Sequence, residues 1–328
     1  MKKSVIVFTI LALSFISCFA QTVGASISGS GKRTDIDITK LDYAVTDRNA
    51  PAVYFSRDIS SESILKLYRA TGKKLTGKTA LKVIFEEPGE QYLDPKLLTG
   101  LVKETNGTFI DSLYLTSRRG SVSRGLDVAR LHGYTAVAPC EIIDAEGELN
   151  LPVKNGNILK YHRVGKGISK YNSAVAVMLF KPHHFPQYDG ISKALSIPFA
   201  TKSGKYIIHS GGKIETHFTS GDDTEFQLAI ADSMKASSDY LNGNWVYITV
   251  LADITTDDSC SVTAPGNIGV LASTDPVAID RAACDMTFGQ GTDAQTARWN
   301  SMHGVDTVLN GAEKIGVGKQ HYRIIEVK

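Results

Sequence analysis

The chain has 328 residues, 42% of them hydrophobic and 21% charged, enough to bury a substantial core in one large domain or two lobes. Lys and Arg number 36 against 34 Asp and Glu, and the lysines at positions 2 and 3 fall in a leader with no acids, so the remaining chain is near neutral. That balance argues against a nucleic-acid or anionic-membrane surface, both of which show a basic excess.

Residues 1–20 (MKKSVIVFTILALSFISCFA) combine two lysines, an apolar middle and a small residue before the cut, the pattern of a secretory signal peptide with a mature start at Gln21. Lipidation at Cys18 ranks second, because Phe15-Ile16-Ser17 lacks the usual leading Leu. Beyond the leader no run of 18 apolar residues predicts a membrane span. The expectation is an exported protein, periplasmic or extracellular. Residues 21–50 are polar with Gly and Ser and read as an extension, the first part of a unit over 21–75 that adds one strand and one helix before an α/β domain over 76–328.

In chain order, Ala52 to Ser56 predicts a strand, Ser60 to Ala70 a helix, and Leu81 to Phe85 a strand. Asp94-Pro95 opens a helix to about Glu104, Phe109 to Leu115 reads as a strand, and Val122 to His132 as a helix ended by Gly133. Ala174 to Phe180 is a continuous apolar run, hence a central strand buried on both faces. A long connection, residues 181–217, precedes a helix from Phe226 to Leu241 and a strand from Trp245 to Ala252. The stretch 267–286 (NIGVLASTDPVAIDRAACDM) then runs from an apolar strand into a helix with Asp275 as N-cap and Pro276 at the first helical position. Such a helix mouth at the carboxyl end of a strand is a ligand-binding place in open α/β sheets, so Asp275 is a candidate cofactor-binding residue. The order predicts an α/β fold in three layers, a mostly parallel or mixed sheet with helices on both faces.

Four of the eight histidines, His183, His184, His209 and His217, lie in the connection over 181–217 together with Lys193, Lys202 and Lys205. Imidazole carries protons near neutral pH and ligates transition metals, and lysine can anchor an anion or act as a base. His183, His184, His209 and Lys193 are therefore the candidate catalytic residues. Lys205 and Arg119, the latter in an arginine cluster around Gly120, are candidate anion or cofactor anchors. His184, His209 and Cys260 form the candidate metal set. The same histidines and lysines would also be ordinary for a solvated loop. No G-x-S-x-G, H-E-x-x-H or G-x-G-x-x-G motif is present, against several hydrolase and dinucleotide-binding classes.

The D-P-V-A-I-D run at 275–280 resembles a signature near the end of the family called domain of unknown function 362. Matching stretches fall in the family's order: ALKVIFEEPGEQYLDPKLLTGLV (80–102), Tyr114 to Tyr134, ATKSGKYIIH (200–209) and GAEKIGVGKQHYRIIEV (311–327). Many relatives carry an inserted C-x-x-C-x-x-C segment for iron–sulfur clusters. This chain has none, and where the family often has C-x-C it keeps only Cys260, with Asp258 in the first position, which argues against an iron–sulfur cofactor. The spacing of His183, Lys193 and His209 is also similar to the nickel-pincer lactate racemases, whose histidines are proton-transfer bases and whose lysine attaches a metal-bearing cofactor. Their G-x-x-G-G-x-K turn is missing here: counting from Gly190 puts Ser196 where the lysine would fall. The expectation is an exported α/β protein with a histidine-centred site for a transition metal or a small carboxylate, doing proton-transfer or redox chemistry. The alternative is a noncatalytic periplasmic protein that binds a small molecule or a metal.

Overall fold

The structure is a computed structural model that describes residues 23–115, 120–183, 187–253, 266–289 and 303–328. Eight strands form one sheet: β1 (Ala52–Ser56), β2 (Thr79–Lys82), β3 (Thr108–Asp111), β4 (Cys140–Ile142), β5 (Ser173–Leu179), β6 (Trp245–Leu251), β7 (Gly269–Ser273) and β8 (Arg323–Glu326). Across the sheet they run β8-β1-β7-β6-β5-β2-β3-β4. Every neighbouring pair is parallel except the two that involve β7, which lies antiparallel between β6 and β1. The expected mixed, mostly parallel sheet is thus the observed one.

Alternation along the strands divides the core in two, as a pleat with period two requires. Leu81, Val83, Phe109, Val175, Val177 and Ile248 face one side, covered by α1 (Ser61–Ala70), α2 (Thr99–Thr105) and α3 (Val122–Leu131). Ala80, Ile110, Ala174, Ala176, Met178 and Tyr247 face the other. That side is covered by α4 (Ile191–Ala194), α5 (Lys202–His209), α6 (Asp223–Tyr240), α7 (Pro276–Phe288) and α8 (His303–Lys314). Strand β5, apolar along its whole length and fully buried, lies inside the sheet, as its composition demands.

Local capping chemistry sets several boundaries. Ser60 closes a capping box with Ser63 at the start of α1, and Ser121 caps α3. Strand β1 sits within the main sheet, so residues 52–70 are continuous with the α/β core, while the extension before it is tied down by Ser26–Ile27 pairing with Tyr92–Leu93.

Two expectations need correction. The connection over 181–217 is not a plain loop, because it contains α4 and α5. Thr201 accepts a hydrogen bond from the Gly204 N–H to cap α5, and Gly204 lets that helix lie against a hairpin (Glu148–Pro152 with Tyr161–Gly165), since a Cβ there would meet the Arg163 carbonyl at 2.2 Å. The second concerns 267–286. Because β7 runs against the other strands, its carboxyl end lies at their amino edge, where Ser273 pairs with Val53 and Tyr247.

The same hairpin buries His162, 1% exposed, beside the Phe199 ring. Burial, reinforced by the Lys205 charge and weakly opposed by the Leu195 backbone, pulls its pKa down to about 3. The unfolded chain therefore binds a proton that the folded one refuses as pH falls from about 6.5 toward 3. Stability should drop over that window by on the order of 1.4 kcal/mol per pH unit from this group alone. Denaturant titrations of His162→Leu across the same range should show a slope shallower by about one proton. Parallel slopes in variant and wild type would contradict this reading.

Candidate active site

The chain lays down β2, then β3 and β4 outward on one side, and returns to place β5 and β6 on the other. Strand order therefore reverses between β2 and β5, and the crevice above their carboxyl ends is where open α/β sheets bind ligands. The segments after those strands, 83–87 and 180–183, form its walls.

The β2 wall is pinned peptide by peptide. Lys82, fully buried on the strand itself, donates to Asp111 Oδ1 at the end of β3 (2.8 Å) and to the Val83 carbonyl (2.6 Å). The other Asp111 oxygen accepts from the Phe85 N–H (3.0 Å), and Oδ1 also accepts from the Ser112 N–H (2.9 Å). His132 Nδ1 lies 2.7 Å from the Phe85 carbonyl, its ring stacked on Tyr92 at 4.0 Å. The chain then turns through Glu86 in the left-handed region, φ 58°, with its side chain buried. A left-handed non-glycine residue at the mouth of a crevice is held there by its surroundings.

On the β5 side, Lys181 stands directly opposite Asp189 in a short antiparallel ladder, Lys181–Pro182 with Tyr188–Asp189. Lys181 Nζ reaches Glu86 Oε1 at 3.3 Å, and Lys193 Nζ on α4 reaches Asp189 Oδ2 at 2.5 Å. Four groups of alternating sign, Glu86, Lys181, Asp189 and Lys193, thus line up at the crevice. Among the described residues, none makes a hydrogen bond to the buried Asp189 Oδ1. Burial raises the Glu86 carboxyl above its usual range, against the pull of Lys181. Asp189 feels the same burial, but Lys193, His183 and Lys181 outweigh it and hold its pKa low. Burial pulls Lys181 down, yet Glu86, Asp189 and Glu90 more than offset it and keep the ammonium charged.

Of the residues singled out from sequence, four gather here. The charges of Lys193, Lys205 and His183 all act on His209, whose pKa falls to about 4 through burial first and those cations second, so it is neutral at neutral pH. His209 stacks on Phe226 at 4.9 Å and meets Phe218 at 5.0 Å. Lys205 has its three N–H groups directed at Ser112 Oγ (2.8 Å) and the carbonyls of Leu113 (2.6 Å) and Ala200 (2.5 Å), so it supplies a fixed charge and ties α5 to the end of β3. Asp275 lies at the opposite edge of the sheet. Its Oδ1 accepts from the Val277 and Ala278 N–H groups and its Oδ2 from Lys319 N–H, so it is spent as a helix cap. His217 is exposed. His184, Arg119 and Cys260 lie outside the described residues.

Among the described residues no group of three His, Cys, Asp or Glu side chains is arranged to hold a metal. Cys140 on the edge strand and Cys284 on α7 are both free thiols. Nor do the residues present fit covalent attachment of a cofactor to Lys193, because its amine is engaged as a cation by Asp189 in a buried pair and the glycine-rich turn is missing.

The domain of unknown function DUF362 matches residues 79–285. The chain belongs to this family. No curated protein matches it in sequence. Among solved structures it is similar to the lactate racemase apoprotein from Thermoanaerobacterium thermosaccharolyticum, with 13% identity and a TM-score of 0.41 over 68% of this chain and 54% of that one. It is also similar to a protein from Thermotoga maritima solved by structural genomics, with 8% identity and a TM-score of 0.39 over 77% of this chain and 58% of that one. The chain thus spans little more than half the length of each, and likeness at that level carries no argument about activity.

Lys82, Asp111, Glu86, Lys181 and Asp189 were not singled out by sequence. The signal for Lys82 was a lysine inside the apolar run LKVIF, where a charge needs a buried partner, and for Lys181 a lysine directly after the central strand. Breaking a buried pair from one side is strongly destabilising, so Lys82→Met and Asp111→Leu should each cost about 3–5 kcal/mol, while the double change Lys82→Met/Asp111→Leu should cost less than the sum. Urea unfolding of the three variants measures this; additive losses would contradict the pairing.

Proposed function

We propose that this DUF362 protein is exported and binds a small carboxylate in the crevice between β2 and β5, where His183 and His209 serve proton transfer. One observation carries the reading. Among the described residues, Lys181 and Lys193 each spend one of three ammonium N–H groups, on Glu86 and Asp189, and both side chains are partly exposed, 24% and 11%. Two charged donors with protons to spare, held by buried acids at a switch point, match the needs of a carboxylate, which accepts through two oxygens. Neutral His209 beside them is in the protonation state of a proton acceptor or a ligand. The leader at residues 1–20 supports export, and among the described residues no helix is long and apolar enough to cross a membrane.

Acetate titrations followed by NMR or calorimetry test the site. Saturable binding is expected, and Lys181→Gln or Lys193→Gln should weaken it about 10–100-fold, the loss of one charge-assisted hydrogen bond at about 1.5–3 kcal/mol. No binding by the wild-type protein, or binding indifferent to both substitutions in folded variants, would remove the carboxylate assignment.

A further inference from the structure

Asp189 is an acid of the crevice that the fold fixes in place and leaves half used. Its Oδ2 takes the Lys193 ammonium at 2.5 Å, while its buried Oδ1 accepts no hydrogen bond from any described residue. Buried polar atoms are nearly always paired, and a charged one is among the costliest to leave without a partner. Against burial, Lys193, His183 and Lys181 keep this carboxyl ionised, so the oxygen is an acceptor and not a hydroxyl.

The segment around Asp189 has little freedom to turn that oxygen toward a donor of the protein. On one side, Lys181–Pro182 pairs with Tyr188–Asp189. On the other, the fully buried Asp280 of α7 accepts from the N–H groups of Ile191 (2.7 Å) and Ser192 (2.8 Å) and from the Tyr188 hydroxyl (3.3 Å), which itself accepts from Ser192 Oγ (2.8 Å). Gly190 lets Asp280 approach this closely, since a Cβ there would meet its Oδ1 at 2.5 Å. Asp280 thus braces the chain on both flanks of Asp189, together with the short helix that carries Lys193. An acceptor held in this way is preorganised for a donor that arrives from outside.

We infer that the ligand of the crevice is an α-amino acid, its ammonium donating to Asp189 Oδ1 and its carboxylate accepting from Lys181 and Lys193. This rests on the carboxylate reading above and narrows it. Lys193 and Asp189 touch, so a ligand that meets both needs its donor and its acceptor close together, as they are on one carbon. Charge points the same way. A simple carboxylate drawn to Lys193 also meets the negative charge of Asp189, whereas a zwitterion brings a cation to that acid and an anion to the lysines, leaving the net charge of the row unchanged. A hydroxyl in the same position offers a single O–H and no charge to set against Asp189.

Glycine, the smallest of the class, is the probe, because the Asp189 side chain is only 2% exposed. Calorimetric titrations of the full protein with acetate, glycolate and glycine compare no donor, a hydroxyl and an ammonium on the same carboxylate. Glycine should bind about 10-fold or more tighter than acetate, the range of one charge-assisted hydrogen bond, and tighter than glycolate. In Asp189→Asn the preference for glycine over acetate should disappear, and because the two ligands are compared within the variant, a uniform loss of affinity cancels. A crystal structure of the wild-type protein with glycine needs no variant: the ligand nitrogen belongs within hydrogen-bond distance of Asp189 Oδ1. Glycine no tighter than acetate, or glycolate as tight as glycine, overturns the inference and leaves the carboxylate site standing. A preference that persists in Asp189→Asn, or a ligand nitrogen turned to another acceptor, overturns it too. Failure of acetate itself to bind removes the carboxylate reading, and the inference with it.

Discussion

A lysine and an aspartate that solvent does not touch govern the geometry of the crevice. Lys82 and Asp111 lie at the carboxyl ends of adjacent parallel strands, and, bonded to each other, they fix the first peptides of both following loops through three more hydrogen bonds. Burying two charges is expensive, and such a pair adds little net stability over an apolar replacement. What it supplies is position. With Phe85 held from one side by Asp111 and from the other by His132, the chain has little freedom to place Glu86 anywhere but under the mouth of the crevice. Lys205 repeats the device one layer away, joining α5 to Ser112 and Leu113 and bringing His209 into the field of the lysines.

Parallel topology explains why so many charges meet at one edge. Seven strands point the same way, so their carboxyl ends and the residues that follow them gather on one rim, and strand order reverses there between β2 and β5. The rim carries an alternating row of charges with little net excess. The opposite rim, where β7 delivers Asp275, has its carboxylate consumed by three backbone N–H groups and offers a ligand nothing comparable.

Local chemistry was legible in the sequence and long-range partnership was not. Asp275 and Pro276 announce a helix start because capping depends on a few adjacent residues, and helix α7 begins where they place it. The apolar run of β5 announces a buried strand for the same kind of reason. The direction of β7 is another matter, since an antiparallel strand in a parallel sheet has the same composition as its neighbours, and only the pairing with β6 and β1 reveals it. His183, Lys193, Lys205 and His209 share one rim because α4 and α5 are short and return the chain to it. Lys82 with Asp111, and Lys181 with Glu86, are 29 and 95 residues apart, and their pairing follows from strand order alone.

The central claim is that the ligand sits at the switch point and is held by Lys181 and Lys193. A crystal structure of the protein grown with acetate as the principal anion tests it most directly. The account places a carboxylate between β2 and β5 within hydrogen-bond distance of both ammonium groups. Acetate found only elsewhere, or no carboxylate within hydrogen-bond distance of the two lysines at saturating acetate, would contradict it.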